Sequence, residues 1–449
     1  MRTSPPKVPG GLPLLGHTLP LLRDPFPFLA SLPTYGDLVQ VRIGPLKVIV
    51  ACNPELTGQV LRESRVFDKG GPIVERVREV LGDGLGTCPH DRHRRQRRMI
   101  QPAFAPARLP HYAKSMTANS ISHANSWHEG QIIDVSEEMT ALMLKVLVET
   151  MFSTAVSQEV LNQICEDTST VIKGMYRRTV VPPTVNNIPT LGNRRYRQAR
   201  ARLRRVVASI IADRRSSERI DRGDLLSALL TARDADAESD DQGLSDTEIT
   251  DHITTFLVAG SETTSNTLAW AFYQLAHSPE FEERLHREIE TALSSCPATM
   301  ETLPELTFAS SIIAEALRMY AVPLATRTVT SDIQLGGYSL PAGSTVAYSP
   351  YLIHHRSDLY ADPERFDPDR WNDFTSSRYA FIPFGGGARK CIGDKFGHTE
   401  AVLTLATIAA RWKLELLNNR PIFPRNALTM IPKGLRMRVA SRQRNYRPS

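Results

Sequence analysis

The sequence predicts a mainly α-helical fold with small β-sheets, an α+β arrangement forming one large domain over residues 1–449. Three observations lead to this. Apolar residues recur at helical spacing over long stretches: 112–175, Arg194–Arg215, the run from Ser245 towards His277, Phe308–Met319 and Phe396–Trp412. Strand-like alternation is confined to short segments, Leu38–Ala51 and the neighbourhoods of Gly336-Gly337-Tyr338 and Ser344–Tyr348. No internal repeat or low-complexity linker divides the chain.

Composition narrows the function classes. Charged residues make up 23% and hydrophobic ones 41%, which is ordinary for a globular protein and excludes wholesale disorder. The cysteines at 52, 88, 165, 296 and 391 are odd in number and scattered, so neither a disulfide framework nor a C-x-x-C metal site is expected and a reducing cytoplasm is. The net charge of +6 is not gathered into an aromatic-interleaved basic stripe, which argues against a nucleic-acid partner. The N-terminal segment 1–16 is proline-rich and has neither a signal peptide nor an apolar run of membrane-spanning length.

Taken in order, Leu38–Ala51 reads as a hairpin turned at Gly44-Pro45, and Asn53–Arg62 as a helix. Residues 66–87 are glycine-rich and read as an irregular, mobile rim over a pocket. In the basic run His93–Arg98, His93 and Arg97 stand one turn apart on one face, with the other arginines expected to face outward as a docking patch for an acidic carrier. Val180–Pro189 is a proline-rich break, Arg194–Arg215 a largely solvated basic helix, and Asp234–Gly243 an acidic loop. Ser245-Asp246-Thr247-Glu248 is a capping box opening a helix of some thirty residues. Its apolar middle holds Gly260-Ser261-Glu262-Thr263-Thr264, where a carboxylate and hydroxyls carry a desolvation cost that points to function.

The chemistry concentrates in Phe384-Gly385-Gly386-Gly387-Ala388-Arg389-Lys390-Cys391-Ile392-Gly393. Glycines permit a tight turn and close approach to a flat partner, and Arg389, Lys390 and the N-terminus of the following helix are expected to lower the Cys391 pKa. A buried structural thiol needs none of these features. A nucleophile would want a nearby general base or, for phosphate chemistry, an arginine shortly after the sulfur; here the cations precede it and Ile392-Gly393-Asp394-Lys395 form no phosphate cradle. An axial thiolate to haem iron fits the residues closely.

Phe384, Gly387, Arg389, Cys391 and Gly393 are similar at every defining position to the haem-binding loop of the cytochrome P-450 monooxygenases. The resemblance runs through the whole chain in the correct motif order, and it implies a haem-thiolate monooxygenase fold with one haem b. By that resemblance Cys391 is the axial ligand, with Phe384 and Arg389 beside it; His93, Arg97, Arg327 and His355 hold the propionates; and Glu262 and Thr263 are the acid–alcohol pair that delivers protons for oxygen activation. Glu315, Arg318 and Arg365 correspond to the family's buried structural network, and Phe256, Leu257, Ala259, Val322, Leu324, Ala325 and Met430 to its substrate pocket. At 357–358 Ser-Asp replaces the family's Asp-Pro after His355-Arg356.

The resemblance also implies O2 as co-substrate, electrons from NAD(P)H through a ferredoxin and ferredoxin reductase, and a soluble, cytoplasmic enzyme without a membrane anchor. The pocket candidates are apolar and small to medium in size. Gly174–Arg178 and Lys390–Phe396 resemble runs in bacterial terpenoid-oxidising members, so a terpene or terpenoid of secondary metabolism is the expected substrate. The alternatives are a fatty-acid or polyketide hydroxylase, a haem-thiolate isomerase or dehydratase, and a non-catalytic haem sensor.

Overall fold

The computed structural model describes residues 4–153, 157–180, 186, 188–217, 221–234, 236, 243–294, 296–375, 377–418, 420–426 and 429–442. Two short helices, α1 (Thr18–Arg23) and α2 (Pro25–Ser31), precede the expected hairpin of β1 (Leu38–Ile43) and β2 (Leu46–Ala51). Gly44 turns it at φ +57°, a conformation open to glycine because it lacks a Cβ. Further strands are β3 (Phe67–Asp68), β4 (Ile132–Asp134), β5 (Ala325–Val329), β6 (Ile333–Leu335), β7 (Tyr338–Leu340) and β8 (Thr345–Tyr348). One five-stranded sheet has the order β1-β2-β8-β5-β3, with β2 parallel to β8 and the other pairs antiparallel. Val48–Ala51 are buried without alternation because β2 is an interior strand covered on both faces. Gly336 and Gly337, expected within a strand, instead form the turn between β6 and β7 at φ +56° and +80°.

Helices α3 (Pro54–Arg62) and α4 (Gly71–Leu81) follow the hairpin. The second replaces the irregular rim expected over 66–87. Its glycine and proline lie at the N-terminus, where both are tolerated, and Val80 and Leu81 bury against Val171, Met175 and Tyr196. The helical body continues with α5 (His90–Ile100), α6 (Leu109–Ser126), α7 (Val135–Phe152), α8 (Gln158–Val180), α9 (Leu191–Ser216) and α10 (Leu225–Thr231). On α9 most arginines face out, but Tyr196, Ala199, Leu203, Val207 and Ile211 form a buried stripe that Arg214 joins, paired with Asp224 at 2.8 Å, so the helix is amphipathic and not simply solvated. Residues 181–185 and 187 of the proline-rich break, and 235 and 237–242 of the acidic segment, lie outside the described residues.

The centre of the molecule is α11 (Asp246–His277), 32 residues opened by the predicted capping box with both of its hydrogen bonds formed. It packs against α7 and against α13 (Thr307–Met319) and α15 (Asp394–Ala409), the intervening helices being α12 (Pro279–Leu293) and α14 (Pro350–His354). Several of its buried hydroxyls are satisfied within the helix: Thr254, Thr255 and Ser261 each donate to the carbonyl four residues earlier, at 2.6–2.8 Å. The last strands are β9 (Trp412–Leu416), β10 (Pro424–Asn426), β11 (Met430–Pro432) and β12 (Arg436–Ser441). Trp412 thus opens a strand and does not end the helix, as its sequence pattern had implied.

A buried ionic network braces the segment leading to Cys391. Arg318 grips Glu315 with two hydrogen bonds, Nε to Oε2 at 2.9 Å and Nη2 to Oε1 at 2.8 Å, and both residues are fully buried. Arg318 also donates to the carbonyls of His354 and Arg365. His354 in turn accepts from the Ile382 amide at 2.9 Å, just before the cysteine loop. The arginine that closes the network on Glu315 is Arg370, with Trp371 Nε1 beside it at 3.2 Å. Arg365 was expected there, but its side chain is exposed and only its carbonyl takes part.

The basic run on α5 is also mostly engaged. Arg95 pairs with Glu248 at 2.9 Å, and Arg98 with Asp234 and Asp236 at 2.6 and 2.9 Å, tying α5 to the start of α11 and the segment before it. Of the arginines expected to form the outward docking patch, only Arg94 is fully exposed; Arg92, just before the run, is exposed and paired with Asp83.

Candidate active site

Cys391 lies between the glycine turn and α15, and its amide donates to the Phe384 carbonyl at 2.9 Å. Gly387 has φ +65°, and a Cβ there would run into the Leu61 carbonyl of α3. Backbone strain and crowding together bar any side chain. The sulfur opens onto a cavity of about 490 Å³ that α11 roofs and Phe384, Ile392, Gly393 and Phe396 help to floor. The residue has accessible surface because the cavity reaches it, while the surrounding protein keeps bulk water away. The latter governs ionisation: burial raises the thiol pKa, and the Gly393 amide, Arg97 and Lys390 only partly offset this.

That corrects the expectation of an activated free thiolate. Lys390 is drawn to Asp394 at 2.5 Å, and Arg389 turns from the sulfur to Asp68 at 2.7 Å and the Cys88 carbonyl at 2.8 Å. A bound metal cation would reverse the balance, since a coordinating thiol is deprotonated outright. The surroundings of the sulfur thus suit a metal ligand better than a free nucleophile.

Basic side chains gather along the cavity. Lys69, His93, Arg97, Arg327 and Arg389 all line it, against a single lining carboxyl among the described residues, Glu400. Burial, then Arg327 and Arg389, pull the Lys69 ammonium down to about 7. Burial, then Arg389, Arg97 and Lys69, pull His93 down to about 3. Arg389 Nε is buried without a partner. Arg389 is held by Asp68, but the remaining excess of basic groups around the cavity suits an anionic guest. The chemistry of the lining fits haem: a soft sulfur ligand for the iron, an apolar slot for the macrocycle and a cationic rim for two carboxylates. His93, Arg97, Arg327 and Arg389 are brought together there, joined by Lys69, which sequence reading missed.

His355 is not among them. Its Nδ1 bonds the Tyr351 carbonyl at 2.9 Å and its ring stacks on Tyr351 at 3.9 Å, away from the cavity. The neighbouring His354 is the buried one that serves the cysteine segment.

On α11, Thr263 lines the cavity and its hydroxyl donates back to the Ala259 carbonyl at 2.8 Å. Glu262, one residue earlier, is turned out of the lining by the helical rotation of about 100° per residue. Its carboxyl accepts from Thr429 Oγ1 at 2.9 Å, and Thr429 accepts from Asn266 Nδ2 at 2.8 Å. Burial raises the Glu262 pKa, partly offset by Thr429. The acid and the alcohol thus share no contact, and Glu262 communicates with the cavity through Thr429 and Asn266, which do line it.

Of the residues expected in the substrate pocket, Phe256, Ala259, Val322 and Ala325 line the cavity, whereas Leu257, Leu324 and Met430 do not. Leu257 is rotated into the helical core, Leu324 packs on the sheet, and Met430 is buried with its carbonyl accepting from Trp270. The walls include further residues that sequence reading missed, among them Phe104, Leu147, Met151, Tyr320 and Phe396, and the segment around Met430 reaches them through Thr429. Tyr320 lies two residues before Val322, a proximity signal that could have found it. Phe104 enters only through tertiary packing, edge-on to Phe256 at 5.3 Å.

Comparison with known proteins agrees with this geometry. The family model described as Cytochrome P450 matches residues 6–439. The chain is 44% identical over 411 residues to cyclooctat-9-en-7-ol 5-monooxygenase of Streptomyces melanosporofaciens, covering 90% of this chain and 88% of that protein. It is 42% identical to pentalenene oxygenase of Streptomyces avermitilis over 439 residues, 97% of each. The crystal structure of the cytochrome P450DA heme domain superimposes with a TM-score of 0.87 at 27% identity, covering 98% of both chains. With a family model matched over nearly the whole chain and relatives at 42–44% identity, beside a cavity that presents one cysteine sulfur below the central helix, the chain belongs to the cytochrome P450 family of haem-thiolate monooxygenases.

Proposed function

We propose that this enzyme hydroxylates a terpene or terpenoid in bacterial secondary metabolism, acting as one catalytic domain over residues 1–449. The observation that carries this is the apolar wall facing Cys391, built from Phe104, Leu147, Met151, Phe256, Ala259 and Val322. Such a wall offers shape and dispersion but no ion pair to a substrate headgroup. Relatives named for terpenoid oxidation, at 42–44% identity over nearly the whole chain, support the same reading.

Haem b held in this cavity supplies reductive activation of O2 and insertion of one oxygen atom into an unactivated C–H bond. The chain's own residues do the rest. Cys391 gives its sulfur to the iron, and Lys69, His93, Arg97, Arg327 and Arg389 take the propionates. The apolar wall orients the hydrocarbon and excludes water. Thr263 holds a hydroxyl at the cavity, while Glu262, Thr429 and Asn266 latch the turn before β11 to α11. Electrons come from NAD(P)H by way of a ferredoxin and its reductase in the cytoplasm. Among the described residues no helix is long and apolar enough to cross a membrane.

Two measurements test this. Cyclooctat-9-en-7-ol and pentalenene, titrated into the ferric protein, should displace the water on iron and move the absorption band, whereas a long-chain fatty acid should not. The reverse pattern would replace the terpenoid reading with fatty-acid hydroxylation. Lys69→Met should speed haem transfer to an apoglobin acceptor about tenfold or more, the scale of one buried charge pair. An unchanged rate would remove Lys69 from the propionate set.

A further inference from the structure

Asn266 lies on α11 one turn beyond Thr263, on the same face of the helix, and lines the cavity. The residue is 6% exposed. Its neighbours fix which end of the amide points where. Thr429 donates its one hydroxyl proton to Glu262 Oε1 at 2.9 Å, so towards Asn266 it acts as an acceptor, taking Nδ2–H at 2.8 Å. Nδ2 is thus turned to Thr429, and Oδ1 is left to the other side. No donor reaches Oδ1 among the described residues, yet it is not sealed in as the unpartnered Thr150 Oγ1 is. On so enclosed a residue, the surface that Oδ1 keeps belongs to the cavity.

The hydroxyls that line the cavity along α11 are spent within the helix. Thr255, Thr263 and Thr267 donate to the carbonyls of Asp251, Ala259 and Thr263, at 2.7, 2.8 and 2.9 Å. Asn266 Oδ1 therefore stands as an open acceptor in a lining that Phe256, Ala259, Leu147 and Met151 make largely apolar. A hydrocarbon filling this space would drive water off Oδ1 and leave it unpaired. A ligand carrying a hydroxyl would replace that water with a hydrogen bond. A buried polar group of this kind selects against the analogue that cannot pair with it.

Resting on the terpenoid reading above and narrowing it, we propose that the substrate is a terpenoid alcohol whose hydroxyl donates to Asn266 Oδ1. Its hydrocarbon skeleton lies along the apolar wall. Asn266 is then a specificity-determining residue. Thr429, itself held by Glu262, is the positioning residue that keeps the amide oxygen towards the substrate. Oxygen must have entered the skeleton before this enzyme acts, through an earlier hydroxylation or a cyclisation ended by capture of water.

The test titrates matched ligands into the ferric holoenzyme and follows displacement of the water on iron. The ligands are cyclooctat-9-en-7-ol and a panel of other singly hydroxylated terpenes, each beside its deoxy hydrocarbon and its O-methyl ether. At least one alcohol should bind the wild-type protein about tenfold or more tightly than its hydrocarbon, the scale of one buried acceptor left unpaired. It should exceed its ether likewise, since the ether keeps the oxygen but lacks the proton that Oδ1 accepts. Asn266→Leu should bring that alcohol and hydrocarbon to within about twofold of each other, by weakening the alcohol. No preference in any pair, an ether that binds as tightly as its alcohol, or a preference that survives Asn266→Leu would overturn the proposal. If Asn266→Leu does not take up haem, the wild-type comparison of alcohol with ether decides alone. The two levels of failure are separable. Alcohols and hydrocarbons that bind alike sink the hydroxyl assignment and leave the terpenoid reading standing, whereas no response to any terpene sinks both.

Discussion

Cys391→Ser is expected to eliminate the strongly red-shifted absorption of the reduced CO complex and to bring product formation below detection. A serine hydroxyl is a hard, neutral oxygen donor, and the other sulfur on the lining among the described residues is the neutral thioether of Met151. The fold should survive, because the sulfur faces the cavity and the loop is held by backbone contacts, chiefly the amide of residue 391 to the Phe384 carbonyl and the Gly387 approach to α3. Thermal unfolding of the haem-free protein should therefore shift by no more than about 1 kcal/mol. Visible spectra of wild type and variant after equal haem supply check the first part. A variant that kept the thiolate-type band would place the ligand elsewhere.

Arg318→Ala should have the opposite profile, destroying the fold before the chemistry. The substitution strands the buried Glu315 carboxylate with only Arg370, Trp371 and the Asp367 amide, and leaves the His354 carbonyl without its donor. Removing one member of a buried ion pair costs about 3–5 kcal/mol, against a total stability of about 5–15 kcal/mol for a typical domain. Low soluble yield and little haem uptake are expected, because His354 and the Ile382 amide carry the disturbance to the cysteine segment. Arg365→Ala, which removes an exposed side chain, should change stability by no more than about 0.5 kcal/mol. Urea unfolding midpoints of the two variants distinguish them. Equal losses would return Arg365 to the network and contradict its exposure.

Local rules served well where the determinants are contiguous. The capping box at Ser245, the hairpin at Gly44 and the glycine turn before Cys391 each depend on residues a few positions apart, and all three stand as read. The helical spacing of His93 and Arg97 likewise puts both at the cavity. The misreadings share a cause. His355, Arg365, Leu257, Leu324 and Met430 each lie within a few residues of the one that occupies the place expected for them or of a cavity-lining residue. A shift of one residue turns a helical side chain by about 100° and a strand side chain to the other face, so proximity in sequence does not settle direction.

Lys69 and Glu400 had no local signal at all. A lysine in a glycine-rich stretch and a glutamate on an apolar helix are ordinary residues until folding takes water away from both. The sequence by itself determined the ligand, the turn that presents it and the helix that crosses above it, because bond geometry and short-range hydrogen bonding encode those. Which charges would be stripped of solvent, and which carboxyl would line the cavity, only the tertiary structure decided, because desolvation depends on what the rest of the chain packs around each group.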